Sequence, residues 1–318
     1  MSSTESFNIL VTGCGGDIGQ SIGKILVNSK YTNKLYGIDI SDKNPAKFIF
    51  PNFSIGLPYT NPDYLKSLEN FINKNEIDII IPIAEPELRY FSEKNILDQI
   101  GRAKMITASS EALEIGFDKF KTAEFLKKES LPYPKTVLAK DISDLDEFPV
   151  ILKSRTGSGS KDIYKINSID EFDFYTKKDQ DNYVVQEYIT DRSGEFTCGL
   201  FRSEKGEIKS QIFKRELFGG YSGYGEVVEN EQISDLLEKL AQKINLTGSI
   251  NVQLRLTRNE PKIFEINPRF SSTVLFRHLF SFEDVIWSIE DKMNLKISDN
   301  RKNVIGKKFY KGYAEYIN

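Results

Sequence analysis

The opening forty residues constrain the fold more than any other stretch of the chain. Residues 7–12 read FNILVT, a short apolar run, and the glycine-rich segment GCGGDIG follows without a spacer. Apolar positions then recur at helical spacing over residues 18–27, and a second apolar run at 35–40 includes Asp39 near its end. A buried strand that turns on glycines into a helix and then into another strand is a strand–helix–strand unit. The alternation continues with a helix over 64–73 and a strand over 77–83, stopped by Pro82 and Pro86. Such alternation predicts an open, parallel, layered α/β domain, set at residues 1–114.

The pattern then changes. Residues 117–129 form a charged amphipathic helix, closed by the breakers Pro132 and Pro134. Short strands at 150–153, 163–166 and 183–186, with the polar loop RTGSGSKD after the first, predict a small mixed domain over 115–190. Strands at 196–202 and 208–213 form a hairpin around Lys205 and Gly206, and GGYSGYG at 219–225 reads as a loop. A helix over 233–243 precedes strands at 249–257 and 262–266, joined by a turn at 258–261. This last region, residues 191–318, is the third domain. Its end, 291–318, is rich in lysine and tyrosine and carries no motif.

A chain of 318 residues is long enough for two or three cores of this kind. With 43 basic and 46 acidic residues and a net charge of -3, no strongly basic face is expected, and nucleic acid is not the expected partner. The 2 cysteines, Cys14 and Cys198, form no CxxC unit, which fits a reducing compartment. The first residues carry neither a basic stretch nor a long apolar run, so no signal peptide is expected. The most apolar stretch, 77–84, is short and contains Asp78, so no membrane span is expected. A cytoplasmic protein is therefore expected. The single histidine, His278, excludes a histidine-rich metal site within one chain.

VTGCGGDIG places Gly13, Gly16 and Gly19 in a pattern that resembles the TGxxGxxG turn of short-chain dehydrogenases and nucleotide-sugar epimerases. That resemblance implies a dinucleotide pyrophosphate at the helix N-terminus and a ribose hydroxyl at Asp39. The tyrosine–lysine pair of that family is represented only by Tyr90 and Lys94, far earlier in the chain than the family places it. Glycines also permit a tight strand-to-helix connection with no ligand at all.

The sharper signal lies near residue 260. Read as a strand, residues 251–256 (NVQLRL) direct Val252, Leu254 and Leu256 to a core and Asn251, Gln253 and Arg255 to the opposite face. In the next strand Glu265 and Asn267 share a face, and a hairpin brings Gln253 beside them. These are hard oxygen ligands without histidine or thiolate, suited to magnesium bridging phosphates. Arg269 lies just beyond, positioned for a transferring phosphoryl group.

GSINVQLRL at 248–256 and FEINPRFSST at 264–273 resemble the carbamoyl-phosphate-synthase-like branch of the ATP-grasp family. The resemblance implies metal binding at Gln253, Glu265 and Asn267, and stabilisation of phosphate and reaction intermediate by Arg269. It extends upstream. DKFKT at 118–122 is similar to the family's DKxxT segment, with Lys119 on nucleotide phosphate. VILKSRTGSGSKDI at 150–163 is similar to its small-domain strand and flexible glycine loop. That match implies Lys153 on ATP phosphate and a closing lid at Gly157, Ser158, Gly159 and Ser160. Ser154 stands where the family often has proline. VVQEYI at 184–189 resembles the hinge strand, so that Glu187, Tyr188 and Ile189 read adenine. GEFT at 194–197 places Glu195 near the ribose. Arg215, in FKREL, is a secondary candidate for anion binding. Tyr221 and Tyr224 follow it, and Glu85 and Glu87 follow the first domain's IIIPIA strand, where they can face a substrate.

The resemblance implies a Rossmann-like N-terminal domain followed by a two-part ATP-grasp fold. It implies an ATP-dependent ligase that activates a small carboxylate as an acyl-phosphate and couples it to an amine. ATP and magnesium are the expected cofactors, with manganese as an alternative metal. The partners are small-molecule acid and amine substrates, and a homodimer is compatible with the reading. Two other functions stay open at this point: an NAD(P)-dependent nucleotide-sugar enzyme, and an ATP-binding regulatory protein without turnover.

Overall fold

The computed structural model describes residues 5–317 except 143, 144, 146, 158–161, 178, 191, 192, 300, 301, 303 and 313. The first unit contains β1 (Phe7–Thr12), α1 (Asp17–Leu26), β2 (Thr32–Asp39), β3 (Asn52–Ile55), α2 (Tyr64–Lys74), β4 (Ile79–Pro82), α3 (Glu85–Glu93), β5 (Gln99–Ile100) and β6 (Ala103–Met105). Their sheet order is β3-β2-β1-β4-β6-β5, parallel except for β5 against β6. β1 is central and buried along its whole length. Its alternate side chains feed two cores: Ile9 and Val11 pack with Ile22 and Leu26 of α1, and Leu10 packs with Leu68 and Ile72 of α2. A strand covered on both faces reads as a continuous apolar run, which is why it is legible without periodicity. The strand order reverses between β1 and β4, where the glycine turn and the start of α3 stand side by side.

Two helices lead onward, α4 (Ser110–Gly116) and α5 (Lys119–Lys128). Asp118 caps α5 by accepting from Phe120 N (2.9 Å) and Lys121 N (3.3 Å). The next sheet has the antiparallel order β7-β10-β8-β9, from β7 (Thr136–Leu138), β8 (Val150–Ser154), β9 (Ile163–Ile166) and β10 (Tyr183–Glu187). α6 (Ile169–Thr176) covers one face through Phe172.

The third sheet runs β15-β14-β11-β12-β13-β16. It contains β11 (Glu195–Arg202), β12 (Ile208–Phe218), β13 (Tyr221–Val228), β14 (Gly248–Leu256), β15 (Pro261–Asn267) and β16 (Lys308–Tyr310), with α7 (Glu231–Lys243) between β13 and β14. Cys198, Val252, Leu254 and Ile266 pack on Leu237 and Leu240 of α7 and on Leu126 of α5. α5 thus contributes to this core while also touching β7 of the small sheet.

One expectation changes. GGYSGYG is not a loop: only Gly219 and Gly220 turn, both at positive φ (59° and 85°), and Tyr221 onward pairs with β12. Paired positive φ values match a two-residue hairpin to the twist of its strands. The segment after residue 273 is also structured. α8 (Val274–Leu279) and α9 (Asp284–Lys292) return to the first unit, where Val274, Val285 and Ile289 join the core beside α1. β16 then adds an edge to the third sheet. Among the described residues, no helix is long and apolar enough to cross a membrane.

Candidate active site

The polar face of the third sheet looks across a cleft at the carboxyl ends of the first sheet's strands. The cavity measures about 690 Å³ and is lined from one side by Gly13, Gly16 and Glu87, and from the other by Gln253, Glu265 and Arg269. Crevices at the carboxyl ends of parallel strands, where strand order reverses, are the usual ligand positions of open α/β sheets.

Register assembles the oxygen-rich wall. Gln253 lies directly opposite Glu265, and Asn251 opposite Asn267. Strict alternation from Ile263 would turn Glu265 inward. The pairing instead skips Phe264, which forms a bulge. The extra residue lets Ile263 and Ile266 both enter the core (0% and 1% exposed) while Glu265 and Asn267 keep the cleft face. Asn267 Nδ2 donates to Glu265 Oε1 at 3.3 Å. Gln253 Oε1 accepts from Arg215 Nη2 at 2.8 Å, so its amide oxygen is already engaged.

The bulge has a second effect. The Phe264 carbonyl accepts from Lys153 Nζ at 3.1 Å, and Gln186 Oε1 accepts from the same ammonium at 3.0 Å. Lys153 is only 3% exposed. Burial pushes its pKa down to about 8, opposed by nearby Glu265 and reinforced by Lys119. Both hydrogen-bond acceptors are neutral. Gln186 is itself held by donating to Thr136 Oγ1 (2.9 Å). Lys119 reaches the same region: its Nζ donates to Gly157 O at 2.8 Å, and its backbone N–H donates to Arg155 O. Arg155 pairs with the capping Asp118 at 2.8 Å. The start of α5 and the end of β8 are thus tied together.

Arg215 is a hub. It donates to Glu195 Oε1 (2.7 Å), Gln253 Oε1 and Ser222 Oγ (3.2 Å). Glu195 sits on β11 between β12 and β14, with Arg215 and Arg255 as its two cross-strand neighbours. Its second oxygen accepts from Arg255 at 2.8 Å. Both carboxylate oxygens therefore brace arginines. Arg269 donates to Phe270 O (3.0 Å), and burial lowers its pKa, with Glu85 and Glu265 opposing.

The structure brings Lys119, Lys153, Gly157, Arg215, Gln253, Glu265, Asn267 and Arg269 to one region. The residues expected at the adenine end follow Gln186 directly along the chain. Glu187 ends β10 with its carboxylate on Lys262 Nζ (3.0 Å) and the Lys135 N–H (3.1 Å). Tyr188 lies under Lys165, whose Nζ is 4.7 Å from the ring centroid, and Ile189 is half-buried. Ser158, Gly159 and Ser160 lie outside the described residues. Sequence reasoning missed Gln186, Asp118 and Arg155. Of these only Asp118 left a signal, as an N-cap before a helix.

Oxygen donors suit a hard cation. Among the described residues no three His, Cys, Asp or Glu side chains cluster for a metal, so Glu265 and Asn267 would hold one with substrate phosphates completing the shell. At the glycine turn, Asp39 Oδ2 accepts from Gly15 N at 2.7 Å and Oδ1 from Ser41 N at 3.2 Å. The carboxylate needed for a ribose hydroxyl is thus used by the protein's own turn, which weighs against the dinucleotide reading.

The family model described as an ATP-grasp domain matches residues 117–273. The chain is 23% identical over 231 residues to a carbamoyl-phosphate synthase of Methanobrevibacter smithii, covering 67% of this chain and 62% of that protein. It thus spans less than two thirds of that relative's length. The fold is similar to N5-carboxyaminoimidazole synthetase from Staphylococcus aureus complexed with ADP, with TM-score 0.72 and 18% identity, covering 94% of this chain and 80% of that one. It is also similar to the biotin carboxylase domain of Hydrogenobacter thermophilus 2-oxoglutarate carboxylase, solved with MgADP and bicarbonate, with TM-score 0.71 and 14% identity, covering 95% and 73%.

Proposed function

With residues 117–273 assigned to the ATP-grasp domain family, we propose that this protein is an ATP-dependent ligase that activates a small carboxylate and couples it to an amine. The observation that carries the reading is Lys153. A buried ammonium held only by neutral acceptors, with its pKa pushed down to about 8, is costly unless a polyanion compensates it. Next to it stands a wall of oxygen ligands and arginines.

Lys153 and Lys119 would anchor ATP phosphates. Arg269 would meet the phosphoryl group in transfer, and Arg215, braced by Glu195, would hold an anion beside Gln253. Magnesium or manganese, on Glu265 and Asn267 with Gln253 opposite, would supply charge neutralisation across the phosphates. The substrate carboxylate attacks the γ-phosphorus, the bond to the β–γ bridging oxygen breaks, and ADP leaves. The amine nitrogen then attacks the acyl carbon, the carbon–oxygen bond to phosphate breaks, and the nitrogen gives up a proton. No covalent protein nucleophile is required. Glu187, Tyr188 and Ile189 are proposed for the adenine end. The ADP and MgADP complexes of the similar folds support nucleotide and magnesium use here. The carbamoyl-phosphate-synthase-like branch rests on sequence relatives, whereas whole-chain fold similarity runs to the synthetase and carboxylase structures, so the proposal is held at the level of ligase class.

The test is an acid-plus-amine screen read by phosphate release and product mass, combined with three variants. Glu265→Gln and Asn267→Ala should unfold normally and lose metal-dependent turnover. Leu254→Ala, fully buried on the core face, should instead lose roughly 2–5 kcal/mol of stability. Normal turnover of both site variants at limiting magnesium would sink the metal assignment. MgATP binding without phosphate release across the screen would leave a nucleotide-binding regulatory protein.

A further inference from the structure

The cleft has two chemically different walls. The third-sheet side carries Arg215 and Arg269 among amides, hydroxyls and Glu265. The first-sheet side carries Asp17, Asp39, Glu85 and Glu87, and the structure separates these four. Asp17 pairs with Lys311, Glu85 pairs with Arg89 at 2.8 Å, and Asp39 is consumed by the N–H groups of Gly15 and Ser41. Asp17, Glu85 and Glu87 all stand in the first turns of α1 and α3, where acidic residues favour the helix electrostatically, and for Asp17 and Glu85 this and their ion pairs suffice.

Glu87 is different. It is 8% exposed, lines the cavity, and its hydrogen bonds come from hydroxyls alone: Thr12 Oγ1 at 2.5 Å and Tyr64 OH. Among the described residues no lysine or arginine pairs with it. Each oxygen is fixed by one donor and keeps capacity for another. Burial raises its pKa, with the two hydroxyls opposing and Asp39 adding to the rise. Such a carboxyl lacks the compensating cation that buried charges ordinarily have.

The rest of this wall is apolar and open. Ile40 follows β2, Ile55 ends β3, and Leu57 and Tyr59 come next. All four line the cavity, with Ile40 and Ile55 exposed at 66% and 62%. Because β2, β3 and β4 run parallel with β1, these residues and Glu87 share one edge of the sheet. Concave apolar surface with a few fixed polar groups is what small-molecule sites look like.

We infer that this wall is the acceptor subsite, and that the acceptor is an amine carried on an apolar body. Its N–H donors are received by Glu87, and its hydrocarbon rests on Ile40, Ile55, Leu57 and Tyr59. This deepens the ligase reading and rests on it for the word acceptor. The wall opposite, with Arg215 and Arg269, is left to the carboxylate and phosphates.

The probes are phenethylammonium and its neutral isostere 2-phenylethanol, titrated calorimetrically at neutral pH into the full chain without nucleotide. The amine should bind about ten-fold or more tighter than the alcohol, as expected for a hydrogen bond to a charged group. Glu87→Gln should erase that difference. Ile55→Ser, at an exposed position and so safe for folding, should weaken both probes several-fold through lost apolar contact. Equal binding of amine and alcohol in the unmodified protein, or a difference that survives in Glu87→Gln, would overturn the inference. Because the unmodified protein already discriminates the two outcomes, a misfolded Glu87→Gln would not spare it. A parallel MgATP titration separates the two readings. MgATP binding without amine preference fails the subsite alone. Amine preference without MgATP binding fails the ligase reading and leaves an amine site.

Discussion

Two glycine segments compete for attention in this chain, and they are used in opposite ways. In the N-terminal turn Gly19 serves packing. A Cβ on Gly19 would sit 2.6 Å from Cys14 Cα and 2.8 Å from Gly13 O, against backbone that cannot yield. The turn's free N–H at Gly15 is spent on Asp39. At Gly157, by contrast, an added Cβ meets nothing within 4 Å, φ is +93°, and the carbonyl is presented to Lys119. One glycine is needed because there is no room, the other because of its backbone conformation. The better-known motif engages its Gly15 N–H in its own turn, and the proposed phosphate site lies beside the less conspicuous one.

That contrast breaks most easily at Lys153. Lys153→Met should cut turnover by roughly 10²–10³-fold, the loss typical of a preorganised charge-stabilising group. Its melting temperature should hold or rise, because the buried ammonium is removed. Unchanged steady-state kinetics would return the nucleotide to the N-terminal turn.

Gly19→Ala should show the reverse pattern. Forcing a methyl into the turn should cost about 1–3 kcal/mol in denaturant unfolding, while MgATP affinity of the folded protein stays as it was. A loss of nucleotide affinity with stability intact would mean that the turn is a ligand loop after all.

A pH titration sharpens the comparison further. With Lys153 at about 8 against an ordinary 10.5, the ammonium proposed to meet phosphate is lost as pH rises through 8. MgATP affinity should fall roughly ten-fold between pH 7 and 9, and Lys153→Arg should flatten the profile. The stability of the nucleotide-free protein should move the other way. Between about 8 and 10.5 the unfolded chain binds more protons at this lysine, so folding becomes more favourable as pH rises. A flat binding profile would place Lys153 away from phosphate.

The smallest effect is expected at Gly157. Alanine there has space but a backbone conformation costing roughly 1–2 kcal/mol. The strain should appear as several-fold weaker MgATP binding, measured calorimetrically, with little change in melting temperature. A large loss of stability would make this glycine a packing residue like Gly19.

Local sequence determined a good deal. The strand–helix–strand opening is legible because β1 is buried on both faces and α1 has one apolar side. The side-chain parity of β14, with Val252 and Leu254 inward and Gln253 outward, follows from a period of two. Asp118 before α5, and Ser168 three residues before Glu171 at the start of α6, are capping signals carried by a few neighbouring residues, although both passed unread. Tertiary structure alone decided the rest. The Phe264 bulge depends on pairing with β14, and it is what allows Ile263, Ile266 and Glu265 all to reach their proper faces and frees a carbonyl for Lys153. The return of α8 and α9 to the first unit depends on an apolar face of α1 that no local pattern matches to them. Glu195 becomes a brace rather than a free carboxylate because two strands distant in sequence place Arg215 and Arg255 on either side of it. The isolation of Glu87 is likewise invisible in EPELR. Local propensity acts over a few residues, whereas register, compensation of buried charge and the shape of a cleft are set by residues brought together from across the chain.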